Sequence, residues 1–193
     1  MERDQSASLH FVEGELDSGP GPGIKGIYEG PYYSYYRWPR TFSSEDDRSV
    51  ADAYEWLYRV IEEDGPFDGV LGFSHGATFA FGFLVQHARK NPYASPLFRS
   101  AIFIGSLPPF RNDDKGKIVY EKGLQDIVKM PTLHVTGKAD FVYEHSMSVY
   151  RLCDARSSQL VVHAKGHEIP GDAKNVAMIA AAWREMMQRA MFG

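Results

Sequence analysis

The chain has 193 residues, with 21 Lys and Arg against 25 Asp and Glu for a formal net charge of −4. That balance excludes the clustered positive charge a nucleic-acid or anionic-membrane partner requires, and 44% hydrophobic residues exclude a disordered chain. One cysteine, Cys153, excludes an intrachain disulfide and a multi-thiolate metal site, so a reducing, cytoplasmic setting is expected.

In chain order, the opening MERDQSASLH lacks the apolar core of a signal peptide. The run Leu9–Val12 reads as a first strand. Gly19–Trp38, GPGPGIKGIYEGPYYSYYRW, is too rich in Gly and Pro for a helix and too aromatic for a flexible linker. It lacks the GK[ST] ending of a P-loop and the GxGxxG spacing of a dinucleotide site. The expectation for residues 19–40 is an ordered loop over the sheet's active-site edge. Val50, Ala53, Tyr54, Leu57 and Ile61 then repeat at three and four residues, as in an amphipathic helix that starts at Ser44 or Ser49 and stops at Gly65-Pro66.

Four more short apolar runs follow: Gly69–Phe73, Ala101–Ile104, Leu133–Val135 and Leu160–Val162. Continuous, often β-branched runs of this length describe strands covered on both faces. A nearly all-apolar helix, Gly76–Ala88, follows the first of them. A last helix carries the stripe Val176, Ile179, Ala180, Trp183, Met187 and Ala190. No apolar run approaches the roughly 20 residues of a membrane helix. Strands alternating with helices predict one α/β domain over residues 1–193, a three-layer sandwich around a mostly parallel sheet of about five strands.

Gly72-Phe73-Ser74-His75-Gly76 fits G-x-S-x-G, and it falls between a predicted strand and a predicted helix. The sharp turn there leaves little room for side chains at the flanking glycines and lifts Ser74 Oγ above the sheet edge. It also aims the backbone N–H of His75 at a developing oxyanion. A base and an orienting acid should follow in the order Asp/Glu, then His, each just after a strand. Asp140 follows the strand at Leu133–Val135, and His167 follows the strand at Leu160–Val162. Asp140 also has the ordinary reading of a helix cap. Among the other histidines, His75 is expected to face solvent or substrate, His87 to lie in a helix, and His134 to be packed inside a strand. Cys153 reads as a structural thiol on a helix. No histidine pair has metal-ligand spacing with a carboxylate between, so neither a metal nor a cofactor is expected.

With these residues in place the sequence resembles the FSH-type serine hydrolases, a fungal-rich branch of the α/β-hydrolases. The resemblance rests on GPGPGIKGIYEGPYY, DGVLGFSHGA, PTLHVTGKADFVY and HAKGHEIP. It implies Ser74 as nucleophile, Asp140 as orienting acid and His167 as base. It also implies an opening strand ending in a His-Gly turn, whose loop gives a second oxyanion N–H. Here His10 is followed by Phe11, and Leu9–Val12 stands at roughly the family's next strand. The sequence is therefore read as an N-terminally truncated α/β-hydrolase. A gap beside the nucleophile strand would be relieved by strands closing up, by a second chain, or by residues absent from this gene model. One lost oxyanion donor costs about 10²–10³ in kcat.

The expected activity is hydrolysis of an ester or thioester with an acyl or polyketide-like substrate, some members of such a family serving beside polyketide synthases. The substrate is a small molecule, free or bound to a carrier protein. Tyr32, Tyr33, Phe73, Leu107 and Phe141 are the candidate substrate-binding side chains. Two alternatives stand beside it: non-hydrolytic chemistry such as cyclisation or dehydration on the same scaffold, and a catalytically impaired binding or assembly paralogue. An open strand edge favours a homodimer.

Overall fold

Residues 7–22, 24 and 26–192 are described by the computed structural model. They divide into two units, one running to Glu63 and including Arg111–Ile118, the other comprising Asp64–Phe110 and the chain from Val119 onward.

In the first unit, β1 (Leu16–Ser18) pairs antiparallel with β2 (Tyr32–Ser34), Asp17 opposite Tyr33. Gly14 makes this approach possible, since a Cβ there would stand 2.4 Å from the Ser34 carbonyl. Leu9–Val12 is not a strand, contrary to its apolar pattern. A run read as doubly buried is largely exposed here, Leu9 at 42% and Phe11 at 85%. Instead the Val12 carbonyl accepts the Tyr35 hydroxyl at 3.0 Å. Part of the aromatic segment expected as loop is β2, because alternating tyrosines suit a pleated strand as well as an irregular one.

The helix α1 spans Ser44–Asp64 and stops directly before Gly65-Pro66, as expected. Its cap is Ser43, whose Oγ accepts the Asp46 N–H at 3.1 Å. Glu45, Asp46 and Asp47 crowd the first turn, where the helix dipole favours negative charge. Val50, Ala53, Tyr54 and Leu57 form its buried stripe.

The second unit holds β3 (Gly69–Phe73), α2 (His75–Lys90) and β4 (Ser100–Ile104). A small hairpin follows, β5 (Phe110–Asn112) with β6 (Ile118–Tyr120). Then come β7 (Thr132–Gly137), α3 (Tyr143–Leu152), β8 (Ser158–His163) and α4 (Ala173–Phe192). Among the described residues the sheet has four strands in the order β3-β4-β7-β8, all parallel. It is one strand short of the expected five, because Leu9–Val12 pairs with none of them.

Every residue of β4 and β7 is buried. Alternation along the strands divides their side chains between two faces. Ile102, Ile104, Leu133, Val135 and Val161 pack with Met186, Ile179 and Trp183 of α4. On the other face Phe103 meets Phe81 of α2 edge-on, and His134 meets Tyr150 of α3. Helix, sheet and helix make the three layers of an α/β-hydrolase-like fold. His134 is packed, as its strand position indicated, and burial pushes its imidazole down to about 3. Cys153 caps the C-terminus of α3 rather than lying within it, and burial pushes its thiol up to about 12.

Candidate active site

Parallel strands place their C-terminal ends along one edge, and each polar residue of interest leaves the sheet there. β3 ends in Phe73, and the chain turns into α2 at Ser74, which takes φ 54° and ψ −118°. A non-glycine residue with positive φ is strained, and such strain persists only where the surroundings hold it. They do so here: Ser74 N–H donates to the Ile104 carbonyl at 2.8 Å, and the Ser74 carbonyl accepts the Thr78 N–H at 3.0 Å. Gly72 is required by space, since a Cβ on it would sit 2.5 Å from Ala77 Cα. His75 lies at the start of α2. Its side chain is partly buried rather than open to solvent, and burial pushes the imidazole down to about 4.

Beyond β7 the chain makes a turn in which Asp140 N–H donates to the Gly137 carbonyl at 3.1 Å. Asp140 Oδ1 accepts the Val142 N–H at 2.9 Å, so the carboxylate braces the entry to α3. It also accepts from a histidine. The cap of α3 is Val142, with no side-chain cap hydrogen bond, so Asp140 braces the turn before the helix rather than capping it, and its other lone pairs serve the histidine. Beyond β8, His167 sits in a loop joined to the Asp140 turn by Ala139 N–H donating to the Lys165 carbonyl at 3.1 Å. Lys165 Nζ lies 3.1 Å from Glu168 and 3.4 Å from Asp172, tying the two sides of that loop together.

His167 Nε2 stands 2.8 Å from Ser74 Oγ. His167 Nδ1 stands 3.0 and 2.9 Å from the two oxygens of Asp140. The ionised carboxylate only accepts, so Nδ1 carries the ring proton and Nε2 is left to accept from the serine hydroxyl. The Asp140 side chain is 2% exposed and that of His167 is 10% exposed. A hydroxyl, an imidazole and a buried carboxylate linked in this way can sharpen the hydroxyl as a nucleophile and deliver a proton to a leaving group.

Three further residues shape this edge and left weaker signals in the sequence. Gly105, just past β4, has φ +57°, and a Cβ there would come within 3.0 Å of His167 Cε1 and 3.4 Å of Asp140 Oδ2. A glycine directly after a predicted strand, at the edge that bears the serine, was the available clue. Thr78 Oγ1 donates to the Ser74 carbonyl and accepts the Leu107 N–H at 3.1 Å, fastening the loop after β4 to the elbow. Ser146 of α3 donates to the Ser106 carbonyl at 2.9 Å.

Of the candidate substrate-binding residues, Phe73 is half-buried and stacks on the His167 ring at 5.0 Å. Phe141 lies against the same ring at 4.7 Å while remaining 65% exposed. Leu107 is buried. Tyr32 and Tyr33 lie on β2 in the first unit, where Tyr32 Oη donates to the Tyr28 carbonyl. Among the described residues, no group of three or more His, Cys, Asp and Glu could hold a metal ion.

A strained serine between strand and helix, served by a histidine from a later strand end, defines a serine hydrolase on the α/β-hydrolase fold. The family model described as serine hydrolase (FSH1) matches residues 2–179. The chain belongs to that family, in agreement with the resemblance carried by its motifs, and is an enzyme of the esterase type. It is 43% identical to hydrolase phiM of Talaromyces stipitatus, over 96% of this chain and 77% of that protein. It is 30% identical to esterase FPY3 of Fusarium mangiferae, over 100% of this chain and 88% of that one. Among solved structures it is similar to the serine hydrolase CarC, involved in carbazole degradation, with a TM-score of 0.55 and 17% identity, covering 81% of this chain and 77% of that one.

Proposed function

We propose that this protein hydrolyses an ester or thioester through an acyl-enzyme on Ser74, acting as a single α/β-hydrolase domain. The carrying observation is the hydrogen-bond chain from Ser74 Oγ through His167 to Asp140, at 2.8 and 2.9 Å. Ser74 Oγ attacks the substrate carbonyl carbon while its proton passes to His167 Nε2. Asp140 holds the ring tautomer and stabilises the imidazolium. The tetrahedral oxyanion takes a hydrogen bond from the His75 backbone N–H, helped by the N-terminus of α2. On collapse the alcohol or thiol leaves with the proton from His167. Water then attacks the acyl-enzyme, His167 removing its proton, and the acid departs as Ser74 regains its own.

The substrate in this reading has an apolar acyl or polyketide-like chain, free or on a carrier protein, and meets Phe73, Leu107 and Phe141. Support comes from exposed Phe141 beside the reacting histidine and from a relative that bears the name esterase. The enzyme works in the cytoplasm, in keeping with a buried thiol left free. It forms a homodimer through β3, an end strand of the sheet whose Leu71 is 42% exposed. Light scattering should give twice the chain mass, and a monomer at micromolar concentration counts against that pairing.

The test of the chemistry is mass spectrometry after a fluorophosphonate. One adduct on Ser74, absent from Ser74→Ala, is expected. Folded protein that takes no adduct overturns the reading.

A further inference from the structure

Two phenyl rings rest on the histidine that links Ser74 to Asp140. Phe73 stacks on it with ring centroids 5.0 Å apart and planes 29° apart. Phe141 lies closer, at 4.7 Å, tilted by 49°. Gly105 adds a third contact, its backbone so near the ring that a Cβ would stand 3.0 Å from Cε1. Both ring nitrogens are occupied by Ser74 and Asp140.

The two phenylalanines differ in why they are there. Phe73 is half-buried and packs against the core under the sheet, so folding alone explains it. Phe141 is 65% exposed. Burial does not account for a large apolar side chain held in water, and the ring it meets is that of His167. An electron-rich ring face within about 6 Å of a cation attracts it. During acylation His167 changes from neutral to cationic, so such a face favours the charged state more than the neutral one. Interactions stronger in the transition state than in the ground state are the ones that raise kcat.

We infer that Phe141 is a positioning residue for the reaction, holding the His167 ring and stabilising its imidazolium through the aromatic face, in addition to any contact with the acyl chain. This rests on the Ser74–His167 reading above. A ring on a cation at a partly exposed site corresponds to about a two- to fivefold change in rate. The effect should be independent of acyl chain length, because it acts on the histidine.

The experiment compares Phe141→Leu, which keeps an apolar side chain, with Phe141→Trp, which keeps a ring. Each is assayed with p-nitrophenyl acetate and p-nitrophenyl octanoate, alongside the rate of fluorophosphonate labelling and the melting temperature. Phe141→Leu should lose about two- to fivefold in kcat on both esters and label more slowly by the same factor, with KM for the acetate and the melting temperature unchanged. Phe141→Trp should recover wild-type kcat on the acetate. If Phe141→Leu changes only KM for the octanoate, Phe141 is a substrate contact alone and the inference fails. Equal losses in the Leu and Trp variants also overturn it. Wild-type protein that neither labels nor turns over ester overturns the parent reading, and this one with it.

Discussion

The sheet of the second unit and the opening region of the first achieve order by different means. In β4 and β7 every side chain is buried, and Ile102, Leu133 and Val135 interlock with α4. In the stretch from Leu9 to Phe42 many large apolar side chains stand in solvent, among them Phe11, Tyr28 and Phe42. Beside the buried Tyr36, shape there comes from polar contacts: Asp46 accepts from both the backbone and the hydroxyl of Thr41, at 2.7 and 2.6 Å, and Arg37 pairs with Glu45. The difference teaches which signals survive in a sequence. Burial on two faces writes a continuous apolar run, whereas hydrogen-bonded order leaves no fixed period.

The sharpest consequence lies at the sheet's active edge. In the proposed reaction Asp140 serves chemistry more than folding, since Asn retains an oxygen for the Val142 N–H. Asp140→Asn should fold normally and lose about 10⁴ in kcat, because the amide no longer holds His167 in the tautomer that accepts from Ser74. Ester turnover beside a thermal melt checks it. A loss under tenfold would mean that the carboxylate is only a brace for α3.

Next in size is the contrast in packing. Leu133 is fully buried in the middle of the sheet. Leu133→Ala should cost about 2–5 kcal/mol, the transfer and cavity cost of a core leucine. Leu9→Ala, at an exposed position, should stay within about 0.5 kcal/mol. Urea titrations of both variants measure the ratio. Similar costs at the two positions would show that the opening run is buried in solution after all.

How much of this was legible follows the same line. That Ser74, Asp140 and His167 come together was legible because each follows shortly after a run that a doubly covered strand explains. Leu9–Val12 imitates such a run in composition, but a strand exists through its neighbours, and a lone run does not reveal that it has none. β2 was hidden because Tyr32-Tyr33-Ser34 looks like the aromatic loop around it. The β5–β6 hairpin was missed although Asp113 and Gly116 supply its turn: Asp113 Oδ1 accepts the N–H groups of Lys115 and Lys117. Gly105 was passed over because a glycine shows nothing of what would collide with its missing Cβ.

Glycines separate the two regions again, with a smaller effect. Gly105→Ala places a methyl against His167 Cε1, whereas Gly116, at φ +74°, has nothing within 4 Å of where its Cβ would be. Both variants pay backbone strain of about 1 kcal/mol. Gly105→Ala should also lose about 10² in kcat through displacement of the ring, and Gly116→Ala should keep full activity. Parallel melts and turnover assays separate strain from displacement.

The response to acid separates the regions by pH window. Burial pushes His134 from 6.5 down to about 3. The unfolded chain therefore gains a proton that the folded sheet refuses, and stability falls as pH drops from 6.5 toward 3. His75, lowered to about 4 by burial, acts in the same window. Asp46 behaves differently. Burial alone would raise its carboxyl, but hydrogen bonds from Thr41 and Ser43 and the charge of Arg37 outweigh that and hold it below its ordinary 3.8. Its contribution is complete above 3.8 and is lost only as pH falls through the lower folded value. His134→Gln should flatten the dependence of the urea midpoint on pH between 6.5 and 4. Asp46→Asn should lower the midpoint by a constant amount over that range and converge on wild type only below 3.8. If Asp46→Asn instead converges between pH 6.5 and 5, the order around α1 depends on a different group, and the polar account of the opening region fails with it.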